Sequence, residues 1–126
     1  MKIIVEKIIM IDGKPKVDFT TEYGKSSAKW AGEIPEVGRE YFVELEIGES
    51  LVIGTTLNPC DENKFAIGMK LDAVVLIGYL ESIEADGYAI LRLGDSIVSI
   101  ELKGVILPGT FVKVISDEVT LFDLEY

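Results

Sequence analysis

Histidine is absent from this chain, and cysteine occurs once, as Cys60. The first absence removes the commonest general base at neutral pH and the commonest transition-metal ligand. Together the two exclude a Cys/His zinc site built within one chain, and they exclude Ser-His-Asp and Cys-His catalysis. A lone cysteine forms no intrachain disulfide, which suits a reducing compartment. Long apolar runs are missing as well. The longest, residues 73–80, falls far short of the ~20 residues that cross a bilayer as a helix. Near the N-terminus, Glu6 and Lys7 interrupt what would be the apolar stretch of a signal peptide, and no small-residue cleavage site follows. The expectation is a cytoplasmic protein with no membrane partner.

Basic side chains are scarce: 12 against 22 acidic ones, a net charge of −10 over 126 residues. Such a surface repels phosphate backbones and anionic headgroups, which argues against nucleic acid as a partner. It favours solubility and fast encounter with basic proteins. Apolar residues make up 48 % of the chain, enough to bury a core without staples. The length suits a single compact β domain over 1–126, with a sub-division into an N-terminal β-hairpin half, 1–57, and a C-terminal barrel-like half, 70–126.

What is present is a period of two. Tyr41, Val43, Leu45 and Ile47 alternate with Phe42, Glu44 and Glu46, so one face is apolar and the other mostly acidic. Residues 17–23 alternate less cleanly, and Val112 and Val114 flank Lys113 in the same way. Turn signals separate these runs. Asp12-Gly13 reads as a hairpin turn that sets Lys7 opposite Asp18. Asp86-Gly87, Gly94-Asp95, Pro108-Gly109 and Ser116-Asp117-Glu118 punctuate the second half. About ten short antiparallel strands at this spacing predict an all-β barrel or sandwich. Residues 71–126 have the rhythm of an OB-type or SH3-like barrel, and Gly78 marks a bend within a strand run. Asn58-Pro59 followed by acids suggests one short helical turn near 59–67. Residues 42–52 match 88–98 without gaps, each reading as strand, Gly-acid-Ser turn, strand. The match has two readings: two related halves, or convergence on the turn chemistry that any tight hairpin favours.

Few fragments carry catalytic chemistry. Gly94-Asp95-Ser96-Ile97 resembles the nucleophile block of GDSL-type esterases, which need a histidine base that this chain lacks. Ser26-Ser27-Ala28-Lys29 has a Ser-x-x-Lys spacing, but in an extended segment those two side chains point to opposite faces. Asp61-Glu62-Asn63 lacks the spacing of an EF-hand loop, and no phosphate-cradling glycine loop occurs. No enzyme activity, metal or cofactor is expected.

Two functions of different class remain. The first is a non-catalytic acidic protein that engages a basic protein partner, in the manner of an immunity or antitoxin-like inhibitor. Its candidate contact residues are Glu40, Phe42, Glu44 and Glu46, where an aromatic ring stands in a row of carboxylates, together with Trp30, which reads either as a cap on the core or as an exposed anchor. Charged protection of an edge strand is the rival account of that row. The second is a barrel module within a larger assembly, binding a small ligand, oligosaccharide or nucleic acid through Trp30, Tyr79 and Tyr88. Lys14, Lys16, Lys25 and Lys29 make the segment through Trp30 the least acidic part of the chain. The oligomeric state is a monomer or a homodimer.

Overall fold

A two-residue turn at Asp12-Gly13 joins β1 (Lys2–Ile11) to β2 (Lys14–Thr21). Both turn residues have positive φ, 51° at Asp12 and 76° at Gly13, a geometry whose twist matches that of paired strands. The turn fixes the register: Ile11 faces Lys14, and Lys7 faces Asp18 as the sequence predicts. An irregularity between Val5 and Lys7 makes Glu6 an extra residue and reverses the sides. Ile3 and Val5 therefore point into the core, while Ile9 and Ile11 point outward.

The structure is a computed structural model and describes residues 1–124. Further strands are β3 (Gly24–Ala31), β4 (Glu40–Ile47), β5 (Ser50–Val52), β6 (Leu57–Pro59), β7 (Ala66–Lys70), β8 (Ala73–Ile83), β9 (Tyr88–Leu93), β10 (Ser96–Lys103), β11 (Thr110–Ser116) and β12 (Val119–Asp123). The fold is all-β, as expected, with twelve strands among the described residues, of which β5, β6 and β7 are short. No helix occurs among the described residues, and so none is long and apolar enough to cross a membrane. The helical turn near 59–67 is therefore not formed. Pro59 instead ends β6 opposite Val112, and the Cys60 N–H donates to the carbonyl of Phe111 at 2.9 Å. Strand pairing across the sheet outweighs the local capping pattern.

The strands form two sheets. The first is a closed barrel in the order β1-β2-β3-β12-β4, in which β12 runs parallel to β3 and antiparallel to β4. The second follows the order β5-β10-β9-β8-β11-β6. There β5 runs parallel to β10, β6 runs antiparallel to β11, and a bridge between Ile53 and Leu57 links β5 to β6. If β5 and β6 are counted as one kinked strand, both sheets share a plan. Three strands meander, a fifth lies parallel to the third, and the fourth closes back on the first. This is the OB-type Greek-key order, and it is present in both sheets.

The fifth strands are exchanged. β12, at the end of the chain, completes the barrel begun by β1 to β4. β5 and β6, which follow β4, flank β8 to β11 and bring the second sheet to a nearly closed barrel. The match between 42–52 and 88–98 is corrected by this topology. β9 and β10 do form a hairpin with Leu93 opposite Ser96, but β4 and β5 lie in different sheets, so Gly48-Glu49 is a crossing and not a hairpin turn. The equivalent positions are instead Ser27 with Ser99, Lys29 with Glu101, and Gly32 with Gly104, the last two glycines both at φ 119°.

One continuous core fills both barrels, with Phe19, Val43 and Leu121 in the first and Leu80, Leu91 and Val114 in the second. Gly78 lets β8 and β9 approach closely, because a Cβ there would lie 2.6 Å from the carbonyl oxygen of Arg92.

Since each barrel holds a strand from the other half, the two should unfold together. Leu121 and Leu51 are both fully buried, one in each exchanged strand. Leu121→Ala and Leu51→Ala are each expected to cost about 2–5 kcal/mol. Trp30, in the first barrel, reports the outcome by fluorescence during urea unfolding. Leu51→Ala lies in the second barrel, yet it should lower the Trp30 midpoint much as Leu121→Ala does. An unmoved midpoint would mean that the barrels unfold independently.

Candidate functional site

Alternation along β4 is complete: Tyr41, Val43, Leu45 and Ile47 are buried, and Glu40, Phe42, Glu44 and Glu46 are exposed. The strand has a neighbour on each side, with β1 pairing at one edge and β12 at the other. Its outward row is therefore the middle of a three-strand face. On β1, Ile4 lies opposite Glu40 and Lys2 opposite Phe42. On β12, Thr120 lies opposite Glu46 and Phe122 opposite Glu44, and the Leu124 N–H donates to the Phe42 carbonyl at 3.0 Å. Phe42 is 43 % exposed and Phe122 38 %. With Ile4 and Leu124 they make an apolar centre between carboxylates. Lys2 and Glu40 approach to 3.5 Å with both side chains largely in solvent, a contact worth little to stability.

Of the five residues singled out from the sequence, four come together on this face. Trp30 does not. It is 4 % exposed inside the first barrel, its ring meets Tyr41 edge-on at 5.1 Å, and its indole N–H donates to the Glu33 carbonyl at 2.8 Å. Trp30 anchors the 32–39 loop to the core and offers no exposed ring to a partner. Arg39 lies over the outer side of the same Tyr41 ring at 5.2 Å. Tyr79 and Tyr88 are also apart. Tyr79 packs on Phe111 across β8 and β11 at 5.4 Å, whereas Tyr88 stands exposed opposite Glu101 on β10. Ile4, Phe122 and Leu124 were missed. Alternation in residues 119–123 marks Phe122 as outward, but nothing local says that β12 lies beside β4.

No protein-family model matches the chain, and no curated protein or solved structure matches it either.

Next to this face the two chain crossings meet. The Gly48 N–H donates to the Glu118 carbonyl at 2.7 Å, and Lys29 pairs with the Glu118 carboxylate at 2.9 Å. Burial, followed by the nearby charges of Asp117 and Glu118, holds the Glu49 carboxyl above its ordinary value. Glu101 is held below its ordinary value, first by the Ser50 hydroxyl and then by the Tyr88 hydroxyl, both of which donate to it. The two act oppositely on stability. For Glu49 the folded chain binds the proton more tightly than the unfolded chain. Its contribution is thus full below the ordinary value of 4.5 and is lost as pH rises through the raised one. Glu101 contributes above the ordinary range and loses that contribution on acidification. Glu49→Gln should therefore raise the urea midpoint at pH 7, with the gain shrinking as pH falls to about 4. A gain that persisted unchanged at the lower pH would exclude repulsion at the crossing as its source.

Proposed function

We propose that the chain is a non-catalytic binding protein that holds a basic protein against the outer face of β1, β4 and β12, in the manner of an immunity or antitoxin-like inhibitor. One observation carries this reading. β4 is an inner strand of a closed barrel, so its outward carboxylates guard no open edge. The same carboxylates surround a cluster of exposed apolar side chains. An apolar centre with a charged rim is the usual anatomy of a protein interface. Two parts of the site then divide the work. Glu40, Glu44 and Glu46 attract and orient a basic partner at long range, and Phe122 with its apolar neighbours is desolvated in the complex.

The net charge of −10 supports the same reading, because it adds a long-range field of the right sign for a cationic partner. The absence of histidine leaves carboxylates and lysines as the main ionisable groups, which suits attraction better than proton transfer near neutral pH. An inhibitor of this kind acts by covering a basic active site, for which a face of carboxylates is the fitting counterpart.

Affinity capture from the native cell, followed by mass spectrometry, identifies the partner. The triple variant Glu40→Lys, Glu44→Lys, Glu46→Lys is then compared with the parent chain. Association at low salt should slow by about ten- to a hundredfold, and its salt dependence should flatten. Phe122→Ala should act differently, speeding dissociation by about 1–2 kcal/mol with little change in association rate. A captured partner that binds the triple variant with parent kinetics would remove this face as the contact surface.

A further inference from the structure

A second feature adjoins the β4 face across β12, where Thr120 separates Glu46 from Lys29. A cleft of about 710 Å³ opens where the β1–β2 turn and the adjoining ends of β2 and β3 meet the β7–β8 turn and the crossing at Asp117. This volume is in the range of small-molecule sites. Much of the wall is apolar, with Ile11, Pro15, Ala31, Val74 and Val119 among its residues, and Lys14, Lys16 and Lys29 supply the cations. Asp12, Asp72 and Asp117 also line it, so positive charge is confined to the β2–β3 side.

Two details set these lysines apart. Lys16 and Lys29 lie directly opposite each other on neighbouring antiparallel strands, an arrangement that costs stability for like charges. Lys29 is neutralised by Glu118, but among the described residues neither Lys14 nor Lys16 has an ion pair. The fold does not require this pairing. The equivalent positions in the second sheet hold Tyr88 and Glu101, and the Glu101 carboxylate accepts from the hydroxyls of both Tyr88 and Ser50. Beside the lysines stand exposed aliphatic side chains, with Ile9 opposite Lys16 and Ile11 opposite Lys14.

We propose that this cleft binds an amphipathic small anion: an apolar body carrying one phosphate, sulfonate or carboxylate head, with the head at Lys14 and Lys16. The apolar body contacts the side of the cleft formed by Ile11, Pro15 and Ala31. The charge of the whole chain sets the upper limit on the ligand. A long polyanion meets the repulsive field of a −10 protein along its length, whereas a single head reaches only the local cations. The head-group lysines lie on β2, two strands from β4, and binding of the anion does not rest on the protein partner proposed above.

Decyl phosphate below its micellar concentration is the probe, and Trp30, which borders the cleft, is the reporter. Decyl glucoside supplies the same chain without charge, inorganic phosphate supplies the head without the chain, and phosphatidylglycerol vesicles supply the head on a membrane. Decyl phosphate should bind at least about tenfold more tightly than each of the other three, as expected when a charged head and an apolar body both contribute. Lys14→Gln with Lys16→Gln should weaken decyl phosphate by about tenfold, while Lys14→Arg with Lys16→Arg should retain it. Amide resonances of residues 14–16 and 28–32 should shift on titration of the parent chain, a readout that needs no variant. Equal binding of decyl glucoside, preference for vesicles, unchanged affinity in the glutamine variant, or shifts confined to other residues would each overturn the proposal.

Discussion

Barrel closure by exchanged strands is the constraint on which the rest of the molecule depends. A four-strand meander with its fourth strand folded back leaves two open edges, here β3 and β4 in one half and β10 and β11 in the other. Open edges present unpaired N–H and C=O groups that invite association. Each half sends its fifth strand across to fill the gap in its counterpart. The crossings at Gly48-Glu49 and Asp117-Glu118 lie side by side and are joined by a backbone hydrogen bond. The charge there reflects this crowding: Glu49 meets Asp117 and Glu118 because two chain segments of like sign must cross at the same place.

Exchange also explains which features were legible in the sequence. Whatever depends on near neighbours could be read. The Asp12-Gly13 turn, the Lys7–Asp18 pair, the β9–β10 hairpin and the alternation along β4 all follow from residues within one hairpin or one strand. What depends on distant pairing could not be read. The gapless match between 42–52 and 88–98 is a real similarity of letters, since a strand followed by a glycine, an acid and a serine serves both a hairpin and a crossing. Only pairing distinguishes the two, and the partner of β5 lies some fifty residues away, at Glu101 to Lys103. The helical pattern at Asn58-Pro59 failed for the same reason. Its capping residues are sound locally, but β11 offers hydrogen bonds that a two-turn helix could not match.

The candidate site divides along the same line. Period two placed Glu40, Phe42, Glu44 and Glu46 on one side of β4, and that much was local. Whether β4 is an edge was not, and this point separates the two explanations of its carboxylates. Trp30 belongs to the second class as well. A tryptophan before Ala31-Gly32 and an acidic loop has no local mark of burial, and its place inside the barrel is set by Tyr41, eleven residues on and in the next strand.

The exchanged strand also orders charge around the first barrel. In register across its outer surface run Ile9, Lys16, Lys29, Thr120 and Glu46, each on the next strand. The lysine side of β2–β3 and the carboxylate side of β4 meet at Thr120, a neutral residue on the strand supplied by the other half. Without β12 the two sides would be the separate edges of an open sheet, and neither the cleft, which Val119 and Thr120 help to line, nor the apolar centre, which Phe122 completes, would exist. The exchanged strand is thus a structural member of both candidate sites. A barrel that carries cations on one flank and carboxylates on the other can offer different chemistry to two ligands, provided this seam holds the flanks in register.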